Sequence, residues 1–264
     1  MRNRWFIALA AIGLHISIGS VYAWSVLTRP IMADMGFTLS QTTWTFSLAI
    51  LMLGLSAGFL GSFAEKIGPK KSGLLAMLFW VTGLFGTAYA LSIHNLTLLY
   101  LFYGIIGGIG LGIGYITPVS TLVKYFPNHP GFATGLAIMG FGFASLIAGP
   151  LMQYLVAQVG LVDTFIILGV IYLVIMGASS LYLKAPQPKH PTRTTKDKST
   201  MYVHTHGMLA NDAMKTWQFR ALWWVFFINI TCGIGLLSLA SPMAQEAIGM
   251  TPAAAASLVG IIGI

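Results

Sequence analysis

His15, Tyr22, Trp24, Tyr115, Gln153, Tyr154 and Asn229 each join an apolar body to a polar tip, and all fall inside long hydrophobic runs. A tyrosine hydroxyl donates a hydrogen bond without carrying a full charge, which suits contact with an anion that must be released again. Tyr22 ends the segment Gly19-Ser20-Val21-Tyr22 and Tyr115 ends Gly112-Ile113-Gly114-Tyr115. The two runs cross in opposite directions, so the tyrosines are expected at mirrored depths and in contact with a shared cavity. Anchoring at a membrane interface is the competing role for both. Trp24 lies nearer the end of its run, where belt and cavity are equally open to it. His15 falls near mid-run, where an ionisable group is by default functional; a neutral imidazole bonded to a neighbouring helix is the plainer alternative. Gln153 and Tyr154 are assigned to the same cavity, and Asn229 to tying helices together.

No covalent chemistry is indicated. No nucleophile–base set is present, and His204-Thr205-His206 lacks further fixed ligands, so it reads as a solvated loop rather than a metal site. Neither a cofactor nor a metal is expected.

The elements that must position these residues follow from composition. The chain has 264 residues, 56% hydrophobic and only 8% charged. A soluble domain carries about 25% charge, so this chain cannot cover itself in water. Complete apolar spans are expected near Trp5–Leu27, Gln41–Phe63, Ser72–Leu91, Leu96–Val123, Phe132–Val156, Leu161–Leu183 and Phe219–Ser241, with a further one beginning near Pro252. The first is too long for a signal peptide, whose apolar region is about 7–15 residues. The predicted class is an all-α polytopic membrane protein.

Of the 14 Lys and Arg residues, only Arg29 falls on one side of that pattern; Arg2, Arg4, Lys66, Lys70, Lys71, Lys124 and the cations from Lys184 to Arg220 fall on the other. Basic residues favour the cytoplasmic side, so the N-terminus is expected in the cytoplasm of a cell-membrane protein. The net charge of +8 is thereby assigned to topology and anionic lipid, and nucleic-acid binding is set aside. Cys232 is the only cysteine, which excludes an intrachain disulfide.

Glycine is concentrated where helices would pack. Span four contains Gly104, Gly107, Gly108, Gly110, Gly112 and Gly114. In water that density would break a helix; in lipid it makes a flat face for close contact. A dinucleotide loop would need a strand before it and does not fit. Span five carries Gly149-Pro150, where the lost backbone donor is expected to bend the helix. No Asp, Glu, Lys or Arg lies deep in the complete spans, which argues against a carboxylate proton relay and fits an exchanger.

The domain plan is a six-helix half over residues 1–183, a basic cytoplasmic linker over 184–218 and the start of a second half over 219–264. Asn211 is expected to cap a short amphipathic helix running through Met214 and Trp217 into the seventh span. The last apolar run has no flanking polar stop, so a longer protein is expected, with a C-terminal half needed to complete the cavity.

The turn Gly61-Ser62-Phe63-Ala64-Glu65-Lys66-Ile67-Gly68-Pro69-Lys70-Lys71 resembles the signature loop of the major facilitator superfamily at Gly61, Glu65, Lys66, Gly68, Lys70 and Lys71. Glu65 stands where Asp is usual. Physically, such a turn can act as a gating clasp by pairing the acid with a cation or a helix N-terminus; a solvated turn is the plainer role. The segments Gly19 to Val26, Gly112 to Tyr115, Tyr125-Phe126-Pro127 and Thr216 to Trp223 further resemble the oxalate/formate antiporter family, a branch near the monocarboxylate carriers. After Tyr125-Phe126-Pro127, Asn128-His129-Pro130 replaces that family's usual base. The resemblance implies alternating-access movement of small carboxylates among aromatic side chains, with cationic ligands in later helices. A drug or sugar carrier of the same fold, or a non-transporting half-carrier, remains the alternative.

Overall fold

A computed structural model describes residues 3–186 and 210–263. His204, His206, Arg2, Lys189, Arg193, Lys196, Lys198 and most of the expected linker lie outside the described residues. Every regular element described is helical.

The first span has three pieces: α1 (Arg4–Gly19), a 3-10 turn (Ser20–Ala23) and α2 (Trp24–Met35). The Asn3 side chain accepts from Trp5 N and starts α1. Next comes α3 (Leu39–Ile67), opened by a capping box in which Thr38 and Gln41 bond reciprocally. Gly68 then turns directly into α4 (Pro69–Ser92). The fourth span is not the plain helix expected. Asn95 caps α5 (Leu96–Leu99), which widens into a π-helical stretch (Tyr100–Gly107) before α6 (Gly108–Tyr125).

Spans five and six join without a loop in α7 (Pro130–Tyr182), broken at Gly160, where φ 82° and ψ 177° suit only glycine. Pro150 sits exposed within helical backbone, and Gly160 supplies the non-helical dihedrals. Beyond the linker come α8 (Ala210–Ala213), α9 (Trp217–Ala247) and α10 (Pro252–Ile262). The expected Asn211 cap is corrected: Asn211 lies inside α8, and the Thr216 hydroxyl accepts from Phe219 N at 3.3 Å to start α9. Residues 214–216 separate the two helices because backbone bonds from Lys215 and Thr216 close turns instead.

One compact unit comprises Met1–Pro186 with Leu237–Ile264, and Gln187–Leu236 forms a second. In the second, α9 exposes Asn229 and an aromatic surface in which Trp223 stacks on Phe227 at 5.1 Å.

The glycines of span four divide between two neighbours. Gly104, Gly108 and Gly112 abut Leu48, Met52 and Ser56 of α3, while Gly107 and Gly110 abut Trp80 of α4. Spacing by four residues places the first set on one face. The aromatic centre of the unit draws on four spans: Tyr103 packs on Trp24 at 4.3 Å, on Trp80 at 5.6 Å and on Phe165 at 6.2 Å.

The two ends differ. At one, Lys124 Nζ pairs with Glu65 Oε1, the Tyr125 hydroxyl donates to Lys184 O, and the Arg4 guanidinium lies over Phe126. At the other, Arg29 donates to Gln245 Oε1 at 3.1 Å and Glu246 Oε1 at 3.0 Å, tying α2 to the end of α9. Beneath that tie, Val26, Ala240, Ala256 and Val259 form an apolar plug, and Ser241 N donates to Ser25 Oγ.

Candidate functional site

Four rings from three spans meet in the interior. Phe141 of α7 lies between the two tyrosines, 4.9 Å from Tyr22 and 5.5 Å from Tyr115, edge-on to both. His15 stacks on Tyr115 at 5.5 Å with 21° between planes and meets Phe141 at 5.8 Å. Positions 15 and 22 are seven apart, so α1 and the following turn present them on one face. Close approach is possible because small residues flank each contact. A Cβ on Gly19 would strike Phe141 O, and one on Gly140 would lie 3.3 Å from His15 Cβ.

His15 and Phe141 are buried, while Tyr22 and Tyr115 are half-buried. The tyrosines therefore form a rim over a closed floor. Both ring nitrogens of His15 face backbone carbonyls, Nδ1 at 2.6 Å from Ala137 O and Nε2 at 3.0 Å from Tyr115 O. A cluster of this kind, two phenol hydroxyls beside a buried imidazole, can hydrogen-bond a small polar solute.

The other expected contacts lie elsewhere. Trp24 is fully buried against Tyr103, and its indole N–H has no hydrogen-bond partner. Gln153 is half-buried and Tyr154 is 62% exposed, so neither joins the four rings. Gly149 abuts Ala256 O, where α7 packs on α10. In the Gly61–Lys71 turn, Lys66, Lys70 and Lys71 are exposed, and the partner of Glu65 is Lys124 from α6, at 3.1 Å. Gly61 faces Ile116 of α6. Phe141 was missed as a site residue. Its signal was a single aromatic held between Gly140 and Gly142.

Six of the described helices are long and apolar enough to cross a membrane, and α7 contains two such lengths joined at Gly160. The fold and its interior site thus define an all-α, multi-pass membrane protein. The sequence pattern of the Major Facilitator Superfamily matches residues 6–264, and the chain belongs to that superfamily. It is 29% identical over 263 residues to an uncharacterized MFS-type transporter, YhjX of Escherichia coli (strain K12), covering 100% of this chain and 63% of that protein. It is 26% identical over 240 residues to the oxalate:formate antiporter of Oxalobacter formigenes, covering 90% of this chain and 54% of that one. The crystal structure of a D-xylose-proton symporter matches with a TM-score of 0.64 at 16% identity, over 98% of this chain and 65% of the other, a likeness of fold.

The chain therefore spans 63% and 54% of the lengths of the two sequence relatives. The second of them agrees with the oxalate/formate resemblance read from Gly19 to Val26 and from Thr216 to Trp223. The superfamily and these relatives are transporters, not enzymes.

Proposed function

We propose that the protein is part of a secondary transporter for small organic anions, of the formate, oxalate or monocarboxylate type, working by alternating access in the cell membrane with its N-terminus in the cytoplasm. Residues 1–183 supply one wall of the cavity and residues 184–218 the cytoplasmic linker. Residues 219–264 begin a second transmembrane part, and completing the cavity takes more chain than the 63% and 54% of the relatives' lengths spanned here. The observation that carries this reading is the rim of Tyr22 and Tyr115 on either side of Phe141. Two neutral phenols flank Phe141 there, none of the described carboxylates lies among the four rings to repel an anion, and a relative bears the name oxalate:formate antiporter.

The test is uptake into proteoliposomes holding the protein made from its natural gene. Labelled formate, oxalate and a three-carbon monocarboxylate are each offered against the same anions inside. Saturable uptake of at least one, competed by unlabelled carboxylate and not by xylose, is expected. Carboxylate uptake no faster than in empty vesicles would end the reading.

The Glu65–Lys124 pair is assigned a gating role at the cytoplasmic end. Both side chains are about half exposed, at 49% and 53%, so the pair contributes about 0–1 kcal/mol. Glu65→Gln is then expected to raise thiol labelling of a cysteine placed at that end by up to about fivefold, as a closed state worth ~1 kcal/mol is lost. Equal labelling in both forms removes the clasp.

A further inference from the structure

We propose that the cleft between the start of α1 and the turn from α6 into α7 binds the phosphate headgroup of an anionic phospholipid, held by the Arg4 guanidinium. The cleft has a volume of about 430 Å³, and its walls include Arg4, Trp5, Phe126, Asn128, His129 and Phe132. That lies within the range of roughly 300–1,000 Å³ in which small molecules are bound.

The charge of the cleft suits an anion. No carboxylate lines it, and among the described residues none pairs with Arg4. Glu65, the described acid at this end, is taken by Lys124 at 3.1 Å. The Arg4 guanidinium lies 5.4 Å from the centre of the Phe126 ring and 5.9 Å from that of Trp5. Cation–π contacts of this kind hold the group in place without using its N–H bonds. Those bonds form a planar fork that matches two oxygens of a phosphate. Asn128 and His129, both exposed, add polar side chains. At the start of α7, Pro130 has no N–H, and the amides of Gly131 and Phe132 precede the first intrahelical bond, which Ala133 N makes to His129 O.

Polar donors alone would serve any phosphate; the apolar wall selects a lipid. Trp5, Phe126 and Phe132 pack edge-to-face on one another, with centroids 5.5, 6.4 and 6.0 Å apart. Trp5 and Phe132 are each about half exposed, and exposed Phe6 and Leu9 continue the apolar surface along α1. Trp5 and Leu9 are four residues apart, so they lie on one face, a turn further from the charged end. A glycerol backbone and acyl chain can cover that strip, which a free phosphate leaves bare. Tryptophan at a span end is also placed where headgroups meet hydrocarbon. Lys66, Lys70, Lys71 and Lys124 belong to the same end, and the Tyr125 hydroxyl brings Lys184 O there. Such a group of cations draws anionic lipid to the surface, and the cleft then fixes one molecule of it.

The test uses the full-length protein from its natural gene, purified in detergent and stripped of lipid. Phosphatidylglycerol and phosphatidylcholine with the same acyl chains are titrated in, and retained lipid is counted by native mass spectrometry. A single phosphatidylglycerol is expected to stay bound at concentrations where phosphatidylcholine does not. Arg4→Gln should weaken that binding roughly fivefold or more, and Arg4→Lys by less. Lys70→Gln, which removes an exposed cation elsewhere at the same end, should leave it unchanged. Phosphatidylglycerol with brominated acyl chains should quench the fluorescence of the wild type more than that of Trp5→Phe, placing the lipid in the cleft. Equal retention of the two lipids would overturn the proposal. So would equal losses in Arg4→Gln and Lys70→Gln, which mean attraction to the surface at large. Displacement of the lipid by inorganic phosphate would make this a free-phosphate site and overturn the lipid as occupant. Should Arg4→Gln fail to fold, the comparison of lipids and the Trp5 quenching decide. Binding is read without uptake, so failure here leaves the transport reading untouched.

Discussion

Gly112→Val is expected to lower the thermal stability and the recovery of folded protein from the membrane sharply. A Cβ at this position would run into Ser56 Oγ and Leu53 O of α3, and it would lie 2.8 Å from Ala57 N. Two of those three obstacles are backbone, which has no rotamer to give. The neighbouring contacts fix the helices on either side, since a Cβ on Gly108 would lie 2.6 Å from Met52 Cβ and one on Gly104 2.8 Å from Leu48 Cβ. The α3–α6 face therefore opens as a whole or not at all. Forcing extra carbons into a packed interface costs about 1–3 kcal/mol, and here the valine branches add to the strain. Against a typical net stability of about 5–15 kcal/mol, this one change is a large fraction. Gly135→Val is the control, because nothing lies within 4 Å of a Cβ there. Detergent-solubilised protein would be compared by size-exclusion chromatography and thermal melting. If the Gly112 variant elutes and melts like wild type, the close packing of α3 on α6 is not what holds this fold.

Tyr115→Phe and Tyr22→Phe are each expected to weaken carboxylate binding while leaving the amount of folded protein unchanged. Each substitution removes one hydroxyl and keeps the ring that packs on Phe141. A hydrogen bond to a charged group contributes about 1.5–3 kcal/mol, which corresponds to roughly 10- to 150-fold in affinity. The loss should appear in the concentration for half-maximal uptake. Unchanged kinetics in both variants would remove the tyrosines from the site, and a change in only one would dismiss the paired rim. The effect presupposes carboxylate uptake by the wild type, which is measured first.

Part of the site was legible before any fold was available. His15 and Tyr22 are seven residues apart, two helical turns, and so share a face. Trp24 does not belong with them: residues two apart on a helix point to nearly opposite sides, and Trp24 turns into the core against Tyr103 while Tyr22 reaches Phe141. The same reasoning keeps adjacent Gln153 and Tyr154 from sharing one direction. The partner of Glu65 was less accessible. Three lysines lie within six residues of it, yet the ion pair forms with Lys124, 59 positions away.

The sequence by itself determined an all-α chain of apolar spans, the grouping of its cations, and the small-residue face at Gly104, Gly108 and Gly112. These are sums and spacings along one dimension, and they hold for any arrangement of the helices. Only the tertiary structure decided that Phe141 sits between the two tyrosines, that His15 meets two carbonyls, and that α6 shows one glycine face to α3 and another to α4. Such pairings depend on how each helix is rotated. The 3-10 turn at Ser20–Ala23 and the π-helical stretch at Tyr100–Gly107 reset that rotation within a span. Over four residues, a change from 3.6 to 3.0 residues per turn swings the following face by roughly 80°, and no local pattern of residue types here announces it.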